Sequence, residues 1–127
     1  MKRLTLVVAV LLWVGASWAQ GLFEVHRLVI TSGIQAREPV DALEEVAADT
    51  ERLYCFLEAR DIKEDTTVVF LWLHEGKQMA RVELPLKKGY RWRTYSSKRL
   101  GGLKGQWEVL LQDAQGRELA KALFRVR

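Results

Sequence analysis

Beyond residue 22 the chain alternates between apolar and polar positions with a period of two, and no stretch sustains a helical period. Gln106 to Gln112 is the cleanest case, with Trp107, Val109 and Leu111 sharing one face. Glu118 to Val126 repeats the pattern with Ala120, Ala122, Phe124 and Val126, leaving Leu119 and Leu123 on the other face with Lys121 and Arg125. Thr66 to His74 is β-branched, aromatic and almost continuously apolar, and Glu75-Gly76 after it is a hairpin signal leading into Gln78 to Leu84. In that returning strand Ala80, Val82 and Leu84 alternate with Met79, Arg81 and Glu83, so it should be half-exposed. Arg52 to Ala59 is apolar on both faces and predicts a central strand. Phe23 to Thr31 and Tyr90 to Lys98 complete the set, and Asp113 to Gly116 predicts a tight turn. Between residues 34 and 50, Glu38-Pro39 marks a turn or an edge. Asp41 and Glu44 have the spacing of a capping box and predict one short helical turn running into Val46 and Ala47. About seven short strands in roughly 100 residues predict an all-β fold, an antiparallel β-sandwich of immunoglobulin-like size, with a small barrel as the alternative.

The N-terminus breaks this pattern. Met1-Lys2-Arg3 is followed by an apolar run from Leu4 to Val14, and Ser17 and Ala19 place small residues where a signal peptidase reads them. This predicts a signal peptide over 1–19, cleaved after Ala19, and a single domain over 20–127. The apolar run is shorter than the roughly 20 residues of a comfortable span, so an uncleaved anchor is the lesser alternative, and no later segment is apolar enough to cross a bilayer. The expected location is periplasmic or extracellular. Cys55 is the only cysteine, so no intrachain disulfide can form, and its apolar neighbours Leu53 to Leu57 predict a buried thiol.

Charge adds a second level of organisation. Cleavage would remove two of 20 basic residues and none of 16 acidic ones, leaving a net charge of +2. Residues 38–65 hold ten acidic and three basic side chains, whereas residues 77–127 hold four acidic and thirteen basic. Either the two segments neutralise each other across the fold, or one surface is basic enough to concentrate anions. An exported domain of such small net charge is not expected to bind nucleic acid.

Catalytic parts are scarce. His26, His74 and Cys55 have no metal-ligand spacing, so no metal site is expected. Neither Ser96 nor Ser97 beside Lys98 lies in a nucleophile signature, and Gly101, Gly102 and Gly105 lack the Lys and following helix of a phosphate loop. No cofactor and no enzymatic activity are expected. The densest candidate is the strand Tyr90 to Lys98, in which aromatic, cationic and hydroxyl side chains crowd together. Its period of two sends Tyr90, Trp92, Thr94 and Ser96 one way and Arg91, Arg93, Tyr95 and Ser97 the other. Arg91, Trp92, Arg93, Tyr95, Ser97, Lys98 and Arg99 are the candidate binding residues, with the cations forming a strip suited to carboxylate or phosphate. The competing reading is structural, with Arg91 and Arg93 paired to Glu83 on the preceding strand or Glu108 on the following one and Trp92 as a core anchor.

Trp72 ahead of the Gly76 hairpin, the block Arg91 to Lys98, and Gly105-Gln106-Trp107-Glu108-Val109 running on to Asp113 and Gly116 together resemble the domain-of-unknown-function 2914 family, bacterial domains found after signal peptides or appended to membrane segments. The resemblance runs from about Phe23 to Val126 and implies a compact all-β domain without implying an activity. One departure is Phe70, where the family pattern has His, so any chemistry of that His is not expected here. The expected function is a non-catalytic exported module that docks an envelope protein through a sheet face, an edge strand or the basic strip. A glycan- or cell-wall-binding module, holding an anionic cell-wall component or presenting solvent-facing aromatics, is the alternative.

Overall fold

A computed structural model describes residues 21–127, so the signal peptide expected over 1–19 lies outside the described residues. The described chain contains no helix and ten strands: β1 (Glu24–Thr31), β2 (Ile34–Gln35), β3 (Glu38–Pro39), β4 (Glu45–Val46), β5 (Arg52–Ile62), β6 (Thr66–His74), β7 (Lys77–Leu86), β8 (Gly89–Arg99), β9 (Gly105–Asp113) and β10 (Glu118–Val126). They form a three-stranded sheet ordered β1-β5-β8, a five-stranded sheet ordered β4-β10-β9-β6-β7 and a two-stranded hairpin of β2 and β3. The chain crosses between the larger sheets on the way from β1 to β4 and again after β4, β5, β7 and β8, the connectivity of an immunoglobulin-like sandwich.

The seven long strands are those that the alternation predicts. Leu53, Cys55, Leu57 and Ala59 of β5 face Phe70 and Trp72 of β6, Trp107, Val109 and Leu111 of β9, and Phe124 and Val126 of β10, all in one buried cluster. Trp107 stacks on Phe124 with ring centroids 5.8 Å apart, and Trp72 meets the same phenylalanine edge-on. Each large side chain so buried stabilises the fold by about 1.5–3 kcal/mol. Trp72 donates its indole N–H across the core to Ser96 Oγ on β8 at 2.9 Å, joining the two sheets by a hydrogen bond that water does not reach.

The helical turn expected around residues 41–47 does not form. Asp41 instead accepts hydrogen bonds from the Thr31 and Ser32 hydroxyls and the Ser32 N–H. That ties the chain to the end of β1 and lays Glu45–Val46 parallel to Arg125–Val126 as β4. An acceptor already occupied by the preceding strand cannot cap a helix. The hairpins are as expected: His74 pairs with Lys77 around Glu75-Gly76, both residues at positive φ.

Candidate functional site: an arginine-lined sheet face

The outer face of the β1-β5-β8 sheet is built by the odd pleat of β8 and the even pleat of β5. In register, Arg91 lies opposite Arg60, Arg93 opposite Glu58, Tyr95 opposite Phe56, Ser97 opposite Tyr54 and Arg99 opposite Arg52. Although Phe56 and Glu58 point away from the core, each is only 1% exposed. The guanidinium of Arg27 on β1 passes 5.0 Å from the Phe56 ring and donates to Glu58 from Nε at 2.8 Å and from Nη2 at 2.6 Å. Arg60 Nε donates to the other Glu58 oxygen at 2.8 Å. Burial works to raise the Glu58 carboxyl, but the hydrogen bonds from Arg27 and Arg60 outweigh it, and the group titrates below the ordinary glutamate range.

The β2–β3 hairpin extends the network. Its Glu38 accepts hydrogen bonds from Arg93 Nη1 and, at 3.0 Å, from Arg27 Nη2. The Arg93 hydrogen bond and then the Arg27 bond hold the Glu38 carboxyl below its usual value. Arg60, Glu58, Arg27, Glu38 and Arg93 thus form an alternating chain of three guanidinium groups and two carboxylates. Arg91 beside it makes no ion pair among the described residues, and Arg37 at the hairpin tip is exposed. The face therefore keeps an excess of positive charge. A recess of 250 Å³ opens where the hairpin meets β8, lined by Ile34, Arg37, Phe56, Arg93, Thr94 and Tyr95.

The structure divides the candidate residues. Arg91, Arg93, Tyr95, Ser97 and Arg99 share the outer face, with Tyr95 exposed and edge-on to Tyr54, and Ser97 accepting from Arg52. Trp92 and Lys98 occupy the opposite pleat. Trp92 packs against the core, and Lys98 Nζ donates to the Arg99 carbonyl at 2.9 Å, so neither belongs to the strip. Arg99 reaches Glu51 at 3.6 Å, both largely in solvent, where the attraction is screened. Glu83 and Glu108 are not the partners of Arg91 and Arg93, because β8 pairs with β5, a strand distant in sequence, rather than with β7 or β9. The carboxylate held by Arg93 is Glu38, 55 residues away. Arg27, Arg37, Glu38, Glu58 and Arg60 escape the sequence reading, although a lone Glu58 inside the apolar run of β5 is the signal that a charged partner must cover it.

Of the other reactive groups, His26 is partly exposed, 4.0 Å from Glu24, whereas Cys55 and His74 are enclosed or engaged. Cys55 is fully buried and burial pushes its thiol pKa far up. His74 Nε2 lies 2.7 Å from the Lys104 carbonyl, and the imidazole packs 4.9 Å from the Trp107 ring. Phe70 is fully buried in the inter-sheet core.

Fold and site together define an all-β sandwich domain with one arginine-rich sheet face. Residues 65–126 match the model of a family described as "Protein of unknown function (DUF2914)", the family that the sequence resembles. The match spans β6 to β10, less of the chain than the resemblance implies, and leaves β1 to β5 outside it. No curated protein matches the chain. Among solved structures, a mutant β-glucosidase from Listeria innocua in complex with laminaribiose superposes with a TM-score of 0.51 at 11% identity, over 83% of this chain and 16% of that one. The β-glucosidase from Kluyveromyces marxianus in complex with glucose gives 0.49 at 7% identity, over 83% and 14%. The chain thus spans a small fraction of those proteins, and the first likeness speaks to fold alone.

Proposed function

We propose that the domain is a non-catalytic, exported binding module that docks an anionic envelope protein through the arginine-lined face of the β1-β5-β8 sheet. The observation that carries this reading is the set of guanidinium groups beyond what Glu38 and Glu58 neutralise, arranged beside a recess that Phe56 helps to line. Arginine forks suit carboxylates, and Arg27 and Arg93 each already donate one guanidinium N–H group to the internal carboxylate of Glu38. A partner's acidic side chains would extend the alternating chain onto Arg91 and Arg37. The test is capture of envelope proteins by wild-type domain and by Arg91→Ala/Arg93→Ala, with Arg91→Ala/Arg37→Ala as the pair that leaves the Glu38 anchor intact. Capture should fall in both variants and in about 1 M salt, where the screening length is roughly 3 Å. Capture indifferent to salt and to both substitutions refutes the reading.

A glycan- or cell-wall-binding role draws on one observation, the exposure of Tyr90 at 66% and Tyr95 at 48%. Arg60 lies over the ring of Tyr90 and Tyr54 meets Tyr95 edge-on, so the two do not offer an open stacking platform, and protein docking is the better-supported function. Binding of soluble cell-wall fragments that is lost in Tyr95→Ala and kept in Arg91→Ala/Arg37→Ala would reverse that order.

A further inference from the structure

We infer that β8 receives the partner as an added strand: an extended acidic segment that pairs with its free edge and sets its carboxylates against Arg91 and the Arg37–Arg93 recess. The inference rests on the docking reading and specifies its geometry. Each sheet edge presents unpaired backbone groups that can template another strand, and proteins usually blunt such edges. Among the described residues, three of the four edges of the two main sheets are blunted by a short strand, an irregularity or a proline. On its side of the five-stranded sheet β4 covers only Arg125–Val126, and the rest of the β10 edge carries a register shift between Glu118 and Ala120. The β1 edge carries an irregularity between Val25 and Arg27. The β7 edge contains Pro85 and faces a register shift between Trp72 and Leu73.

The β8 edge is blunted by charge alone. It is eleven residues long, contains no proline, and keeps one register against β5 from Arg52↔Arg99 to Ile62↔Gly89. On its other side no described strand pairs with it.

Charge selects the occupant. The strand GYRWRTYSSKR carries four cations and no carboxylate. Pairing with a second copy of itself would set cations near cations, whereas a strand with acidic residues at alternate positions complements it. The internal precedent is Glu38, whose carboxylate reaches Arg93 from a neighbouring two-stranded element. The recess of 250 Å³ that Thr94 helps to line would take one side chain of the incoming strand, with the apolar Phe56 and Ile34 and the cations Arg37 and Arg93 among its walls. Backbone pairing supplies affinity and this pocket supplies selection, as in other β-augmentation sites.

The experiment uses a capped nine-residue peptide alternating Glu and Val. The same peptide N-methylated at every second backbone amide is made in both phases. Binding to the domain is measured by calorimetry, and hydrogen exchange is followed at residues 89–99. The parent peptide should bind and slow exchange in β8. One methylated phase should bind about tenfold or more weakly, since losing even one or two backbone hydrogen bonds is worth that factor. Equal binding by the parent and both methylated phases overturns the inference, because charge alone would then suffice. So does absence of peptide binding, or concentration-dependent self-association that slows the same amides without peptide. None of these touches the docking reading, which stands or falls on capture by the arginine variants.

Discussion

Ser96 sits next to Ser97 and Lys98, the place to look for a reactive hydroxyl, yet its oxygen is committed to the Trp72 indole between the sheets. Removing it leaves a buried N–H without an acceptor. Ser96→Ala should therefore lower unfolding free energy by about 1–3 kcal/mol in urea titration, without affecting partner capture. Glu58 makes the complementary case on the outer face. Glu58→Ala should cost about 2 kcal/mol, less than a fully enclosed pair, because the guanidinium group of Arg27 remains partly hydrated. Both residues were visible in the sequence, but their partners were not. An alternating pattern assigns a side chain to a face, whereas Trp72–Ser96 and Arg27–Glu58 are decided by which strands become neighbours. That choice depends on the whole core, not on any local run.

At the scale of elements, the β2–β3 hairpin has the most unusual local chemistry. Its two-residue turn places Ala36 at φ 51° and Arg37 at φ 66°, a geometry normally given to Asn and Gly. Strain of this kind, on the order of 1 kcal/mol per residue, persists where the surroundings hold it, here through Glu38 and its two arginines. Ala36→Asn should raise stability by about 0.5–1 kcal/mol and leave binding unchanged. Arg37→Gly should also stabilise but weaken partner capture, since it removes one wall of the recess. A matching gain in stability without loss of binding would assign the turn to the fold alone. The same region shows why some elements were misread. The Asp41 and Glu44 spacing matches a helix start, but Thr31 and Ser32 claim the carboxylate first. By contrast, β9 is legible end to end, because Trp107, Val109 and Leu111 all lie inward, whereas β10 follows the alternation only from Ala122 to Val126: a register shift between Glu118 and Ala120 turns Leu119, expected on the outer face, against the core.

For the whole molecule, the segregation of charge along the chain becomes partial neutralisation in space. Glu38 with Arg93, Glu51 with Arg99, Asp65 with Lys87 and Glu45 with Arg127 each join the acidic segment to the basic one. The carboxylates that matter most to the fold share a sign. Glu38, Glu58, Asp41 and Asp113 all titrate below their ordinary values of 4.5 for Glu and 3.8 for Asp. A carboxyl depressed in the folded state contributes stability above its unfolded value and loses it as pH falls through the folded one. The urea midpoint should therefore be flat from neutrality to about pH 5 and then decline steadily. The decline should be shallower in Glu58→Gln, and an unchanged slope would deny that carboxylate its part.

The lone thiol of this chain, enclosed at Cys55 and pushed far above its ordinary range, has a consequence for manufacture as well as for chemistry. A single cysteine can form no intrachain disulfide, so material made in a reducing cytosol should melt at the same temperature with or without dithiothreitol. Ellman's reagent should find nothing to titrate until guanidinium opens the sandwich, and then one equivalent.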